Sequence, residues 1–208
     1  MIKGLIFDFD GVIAESIEVK TNAFAKLYNE YGKEISNKVI QHHKLNGGVS
    51  RFEKIKFYHQ NYLNKNITKD ELEKLLSKFS NYVVSGVIQS PYVDGVLNFI
   101  KNKFKDHKLF ISTATPTEEI KTIIQARKIE NYFTDVFGSP DKKTNHIDLI
   151  MSKHKINYNE LIFFGDSETD YFAAEEKKIK FILIENNYNK LFRKNYSGKS
   201  ISTFKDFK

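Results

Sequence analysis

The sequence predicts an α/β fold, a parallel sheet core with an all-helical segment inserted after its first strand. Three observations predict it. Short apolar runs such as Leu5-Ile6-Phe7, Leu109-Phe110-Ile111 and Leu161–Phe164 carry no polar alternation, as strands buried on both faces require. From residue 90 onward such runs alternate with helical patterns, the signature of a parallel sheet covered by helices. Between about 16 and 87 no strand-like run occurs. The expected division is a core of residues 1–15 and 88–208 with a helical cap of residues 16–87.

Each element has its own local signal. The first strand stops at Asp8-Phe9-Asp10-Gly11. Strand alternation points both acids to one side at its carboxyl end, where open α/β sheets place their ligands. Ser16 is placed as the N-cap of a helix from Ile17 to Tyr31, with Ala23, Phe24 and Leu27 on one face and Gly32 at the stop. A polar segment follows, then a glycine turn at Leu45-Asn46-Gly47-Gly48. Ser50-x-x-Glu53 and Thr68-x-x-Glu71 both have the capping-box pattern. They start one helix at Arg51, ending near Leu63, and another that carries Leu72, Leu75, Leu76 and Phe79.

In the second half, Asp94-Gly95 leads a short helix and Lys108–Ser112 reads as the second strand. Thr115-Pro116-Thr117-Glu118 has the form of a capping box with proline at the first helical position. Phe133–Phe137 leads into Gly138-Ser139-Pro140 and a helix from about Asn145 to His154. Leu161–Phe164 is the third strand, followed by Gly165-Asp166 and a helix from about Glu168; Phe181–Ile184 is the fourth. The polar residues after Glu185 receive no element.

Composition narrows the function. Of 208 residues, 40% are hydrophobic and 14% aromatic, which supports a substantial core and excludes global disorder. The absence of cysteine excludes disulfides, thiolate metal sites and a cysteine nucleophile. No apolar run approaches a membrane span and no signal-peptide pattern precedes the first strand, so a soluble cytoplasmic protein without membrane partners is expected. The net charge of +7 comes from lysines scattered along every segment, with no arginine-rich block and no stacking motif for bases. That pattern fits a small anionic substrate better than nucleic acid. A monomer or weak homodimer is expected.

Two carboxylates as close as Asp8 and Asp10 repel each other unless a proton or cation holds them, and a hard divalent ion such as Mg2+ suits oxygen ligands beside phosphate. Further polar groups close later strands or loops: Ser112-Thr113, Lys142-Lys143, then Asp166 and Asp170. In this order they resemble the haloacid dehalogenase superfamily of aspartate-nucleophile phosphotransferases, in its β-phosphoglucomutase and phosphoglycolate phosphatase-like subgroup. The resemblance covers almost the whole chain and implies a Rossmann-like core with an inserted helical cap. It implies that Asp8 attacks phosphorus and that Asp10 serves as general acid and base. It further implies that Thr113 bonds a phosphate oxygen, with Ser112 as rival and Ala114 beside it, and that a lysine, Lys143 or Lys142, balances charge. The Mg2+ would be held by Asp8, Asp166 and the backbone carbonyl of Asp10, with Asp170 orienting that set.

The stretch Leu45–Arg51 resembles the substrate-facing cap loop of the same subgroup, with one extra residue at the glycines. It places Arg51 against a substrate anion and lets Gly47 and Gly48 approach closely. In the mutases a histidine stands ten residues past the second aspartate; here that position is Lys20, a residue type more often solvated on a helix than in contact with substrate, and the departure tips the reading toward a phosphatase. The six histidines show no metal-ligand spacing and are expected at the surface or the core edge. The expected function is Mg2+-dependent hydrolysis of a small phosphorylated metabolite, a phosphosugar or phosphoglycolate-like compound. A phosphomutase or a non-catalytic module on the same fold are the alternatives.

Overall fold

A computed structural model describes residues 1–207. Strands β1 (Gly4–Phe7), β2 (Lys108–Pro116), β3 (Asp135–Ser139), β4 (Leu161–Gly165), β5 (Lys180–Ile184) and β6 (Ser200–Ile201) form one parallel sheet. Their order is β3-β2-β1-β4-β5-β6. The uninterrupted apolar runs are explained by the two faces they fill. Leu5, Phe7, Leu109, Ile111, Ile162, Phe164, Ile182 and Ile184 enter one core. Ile6, Phe110, Leu161, Phe163, Phe181 and Leu183 enter the other. Helices α5 (Val96–Lys103) and α6 (Thr117–Ala126) cover the first face; α7 (Lys143–His154) and α8 (Glu168–Glu176) cover the second. The order reverses at β1, with β2 on one side and β4 on the other, which opens a crevice at the carboxyl end of β1.

Helices α1 (Ile17–Tyr28), α2 (Lys33–Leu45), α3 (Arg51–Tyr62) and α4 (Lys69–Gln89) lie between β1 and β2 in sequence. They pack around Phe24, whose ring lies 4.4 Å from that of Phe79 and 5.8 Å, edge-on, from that of Tyr58. Ser50 and Thr68 cap α3 and α4 by accepting from the N–H of Glu53 and Glu71; Glu71 closes the box on the Thr68 N–H, whereas at Ser50 only the first half of the box forms. Among the described residues no helix is long and apolar enough to cross a membrane.

Several elements differ from expectation. The polar segment after Gly32 is helix α2, whose buried stripe is only Ser36, Val39 and His43; two of its three members are polar, which hid the periodicity. The first helix stops at Tyr28, and a 3-10 turn of Asn29–Tyr31 carries the chain to Gly32 at φ 90°. Strand β2 runs on to Pro116, which occupies the N-cap of α6 in extended geometry, so Thr115 caps nothing. Helix α7 starts two residues early, at Lys143. Strand β3, largely half-buried, and the two-residue β6 lacked a full apolar run.

The segment after Glu185 also has structure. It forms α9 (Lys190–Asn195) and β6, and then returns Phe204 to the core. The Phe204 ring lies 5.1 Å from Phe99 and 5.5 Å from Phe164, which itself stacks on Phe7 at 5.1 Å. Truncating a buried aromatic typically costs about 3–5 kcal/mol. Phe204→Ala is therefore expected to lower the urea midpoint by an equivalent amount, while Asp206→Ala, at an exposed position two residues on, leaves it unchanged. Equal effects would show that the tail does not anchor the core.

Candidate active site

The carboxyl end of β1 is fixed by backbone geometry. Asp8 N–H donates to the Phe164 carbonyl at 2.9 Å, extending the ladder one residue beyond the strand. The chain then turns, with the N–H groups of Ile13 and Ala14 donating to the Phe9 carbonyl at 2.9 and 3.0 Å. Gly11, at φ 79°, makes this turn beside Asp166, and a Cβ there would collide with the Asp166 carboxylate. Only glycine satisfies both demands.

On one side of the turn three buried carboxylates converge. Asp8, Asp166 and Asp170 each place an oxygen within 4.8 Å of the others. Lys143, buried at the start of α7, donates to Asp8 Oδ2 at 2.9 Å and also to Asp170 Oδ1. Asp170 Oδ2 accepts from the N–H of Ser167 at 3.1 Å and from its Oγ at 2.6 Å. Asp166 accepts from Asn186 Nδ2 at 2.7 Å, and its carbonyl accepts from Asn189 Nδ2 at 2.8 Å.

Burial pushes Asp8 up to about 6, with Asp170 and Asp10 adding to the rise and Lys143 opposing it. Burial, then Asp8 and Asp170, raise Asp166 well above the carboxylate range. For Lys143, burial is outweighed by Asp170 and Asp8, which hold it above its ordinary value as an ammonium. One cation thus faces three acids. An all-oxygen donor set with excess negative charge fits a hard divalent cation.

Asp10 faces away from that cluster. Its oxygens accept from Ser16 Oγ at 2.5 Å, from Thr115 Oγ1 at 3.2 Å and from the Lys20 ammonium, which also donates to Thr115 Oγ1 at 2.8 Å. Burial works to raise Asp10, but Lys20 and these hydrogen bonds outweigh it and hold the group below its usual value. The Asp10 side chain is therefore not with the metal-competent trio, which leaves only its carbonyl for that purpose.

The remaining predicted residues divide. Lys143 reaches Asp8, while Lys142 is the exposed N-cap of α7. Thr113 and Ala114 line the cavity above Asp8 and Asp10. Ser112 does not: strand alternation turns it to the opposite face, where its Oγ bonds His146 Nδ1 at 2.9 Å. Gly48, at φ 74°, lies against α8, where a Cβ would collide with Thr169 Oγ1 and stand 2.5 Å from Ser167 Oγ. Gly47 lies nearby and also lines the cavity. Arg51 is buried, but its guanidinium is taken by Glu119 of α6 in a two-point pair, with Nη1 to Oε2 at 2.8 Å, and by Ser80 Oγ at 2.8 Å. The anion it meets is the protein's own.

Other site residues were not read from the sequence as such. Lys20 is no solvated helix residue. Asn186 and Asn189 stand just past the carboxyl end of β5, the same strand-end position that marked the other polar groups. Glu119 carried no signal, because an acid in the first turn of a helix is ordinary. His43, His59 and His146 are buried rather than at the surface.

Comparison with known proteins agrees with this geometry. Residues 5–184 match the family described as Haloacid dehalogenase-like hydrolase. A phosphoglycolate phosphatase of Vibrio vulnificus is 38% identical over 72 residues, 32% of each chain. One of Vibrio parahaemolyticus is 35% identical over 68 residues, 30% of each. The chain thus matches about a third of the length of these curated relatives. A β-phosphoglucomutase structure from Clostridium difficile superposes with TM-score 0.78 at 21% identity, covering 100% of this chain and 94% of the other. CbbY of Rhodobacter sphaeroides, solved with xylulose-(1,5)bisphosphate, gives TM-score 0.79 at 15% identity over 99% and 96% of the two chains.

The Ser112–His146 pair generates a stability prediction. Burial, then Lys143, lowers His146 to about 4 from 6.5. A neutral buried histidine contributes its stability above the unfolded pKa, and that contribution is lost as pH falls toward the folded one. Between pH 7 and 4.5 the loss through this group is about 2–3 kcal/mol. Urea midpoints at the two pH values should diverge by that much less in His146→Gln than in wild type. An equal pH dependence would show that His146 is free to ionise in the fold.

Proposed function

The chain belongs to the haloacid dehalogenase-like hydrolase family, and from its site we propose that it is a Mg2+-dependent phosphomonoesterase working through an aspartyl-phosphate on Asp8. The observation that carries this reading is the opposite environment of two acids two residues apart. Asp8 lies beside the Lys143 ammonium and the acidic trio, while Asp10 lies in a separate polar nest of Ser16, Lys20 and Thr115. Two carboxylates whose surroundings drive them apart take different roles.

In the first half-reaction Asp8 Oδ forms the bond to phosphorus as the bond to the ester oxygen breaks, and Asp10 delivers the proton that the leaving oxygen requires. In the second, Asp10 takes a proton from water as that water attacks phosphorus and frees Asp8. The carboxylate form that Lys20 and Thr115 favour is the form needed for this second step. Lys143 offsets the charge of nucleophile and phosphoryl group, and Thr113, with the backbone N–H of Ala114, supports the phosphoryl oxygens. Asp8, Asp166 and the carbonyl of Asp10 would hold Mg2+, oriented by Asp170, and that ion supplies charge neutralisation to the phosphoryl group.

Residues 16–87 act as the cap over a core of 1–15 and 88–208. The Gly48 loop against α8 and the Arg51–Glu119 pair support a cap that excludes water from Asp8. The substrate is a small phosphorylated metabolite of the phosphoglycolate or phosphosugar type, a reading supported by the names of the curated relatives. Two observations favour a phosphatase over a phosphomutase. Lys20 stands where the mutases have histidine, and Arg51, which would receive a second phosphate, is engaged by Glu119.

Asp8→Asn is expected to lower kcat at least about 10³-fold, because no other group can carry the phosphoryl intermediate. Lys143→Met is expected to cost about 10²–10³-fold. Both are checked by Mg2+-dependent phosphate release from p-nitrophenyl phosphate, with circular dichroism confirming the fold. Activity retained in Asp8→Asn would overturn the assignment.

A further inference from the structure

Besides the reacting acids, the cavity over Asp8 and Asp10 has a second polar end. Its volume is about 180 Å³, and its wall away from the sheet is built by Phe24, His43, Lys54 and Phe79 of the helical insert. Lys54 is 2% exposed and His43 7%, and the Lys54 Nζ lies 2.9 Å from His43 Nδ1.

The other buried cations around this cavity can each be followed to a carboxylate partner. Lys20 pairs with Asp10, Arg51 with Glu119, and Lys143 with Asp8 and Asp170. Lys54 has no carboxylate partner among the described residues. Besides the imidazole it has only the face of Phe24, whose centroid lies 5.8 Å away. Removing an ammonium from water costs several kcal/mol unless an anion compensates it. Its place in the first turn of α3 adds to the cost, since a helix N-terminus favours negative charge. Burial, and then the repulsion of Lys20, bring Lys54 down to about 7, with Asp10 opposing. Burial and the same lysines hold His43 neutral, at about 2. With the ammonium donating to Nδ1, the neutral ring keeps its proton on Nε2, a second donor.

We propose that Lys54 and His43 form the site that recognises a carboxylate on the leaving portion of the substrate, so that the ester hydrolysed is a small phosphorylated carboxylic acid. This rests on the phosphatase reading above. The placement agrees with it, because Lys54 and His43 share the cavity with Lys20 and Asp10, the side from which the leaving oxygen departs. One ammonium and one imidazole N–H match the two oxygens of a monoanion. A second phosphate would bring a dianion, for which the nearby arginine is already engaged. The two aromatic walls suit a short carbon chain between phosphate and carboxylate.

Two non-hydrolysable probes separate this inference from the reading beneath it. One is 3-phosphonopropionate, which carries a carboxylate; the other is 3-hydroxypropylphosphonate, which carries a hydroxyl there. Calorimetry with Mg2+ should show wild type binding the carboxylate probe about 10- to 100-fold more tightly, the worth of a charged hydrogen bond. Lys54→Met should abolish that preference and leave the affinity for the hydroxyl probe within about threefold. Its thermal midpoint should match or exceed that of wild type, because a buried cation without an anion has been removed. Equal binding of both probes by wild type, or equal weakening of both in Lys54→Met, would overturn the inference. Absence of p-nitrophenyl phosphate turnover in wild type would instead overturn the phosphatase reading.

Discussion

The contact on which the site depends is that of the Lys143 ammonium with Asp8 and Asp170. Three acids packed within 4.8 Å of one another would otherwise protonate or push apart, and the turns after β1 and β4 would lose their shape. One buried lysine holds the cluster together but does not neutralise it. The remaining negative charge makes the site receptive to a divalent cation. The price of burying so many charges is accepted only where the sheet order reverses, at a crevice that the fold creates in any case.

The helical insert completes that site from above. Its glycine loop meets the Ser167–Thr169 turn at a distance that only glycine permits, and Arg51 crosses to Glu119 in a pair that is nearly dry. A dry ion pair broken on one side leaves an uncompensated buried charge, so this pair ties the insert to α6. Asp10 is surrounded by Ser16 and Lys20 from the start of the insert and by Thr115 from β2.

Much of this was legible in the sequence, for physical reasons. Strands buried on both faces announce themselves by unbroken apolar runs, and acids that terminate such runs must lie at the sheet edge where ligands bind. That logic points to Asp8, Asp10 and Asp166, while Thr113, Lys143 and Asp170 follow from the resemblance to the family's order of motifs. It failed where a residue's partner is distant in sequence: Arg51 reads as a free cation until Glu119, 68 residues away, is placed against it. Lys20 looked like a solvated helix residue because a lysine on a helix usually is one. Helix α2 was hidden by a buried stripe of serine, valine and histidine, and Ser112 differed from Thr113 only through the alternation of one strand.

A nucleophilic Asp8 becomes bonded to phosphorus during turnover. The most direct measurement is mass spectrometry of protein quenched with acid during steady turnover of a phosphate ester with Mg2+, followed by peptide mapping. The peptide spanning Asp8 is expected to gain the mass of one phosphoryl group and to lose it to hydroxylamine, and with p-nitrophenyl phosphate, whose leaving group needs no proton, Asp10→Asn, which slows attack by water, is expected to increase its yield. A phosphoryl group found on another residue, or none under conditions where ester is being consumed, would contradict a nucleophilic Asp8.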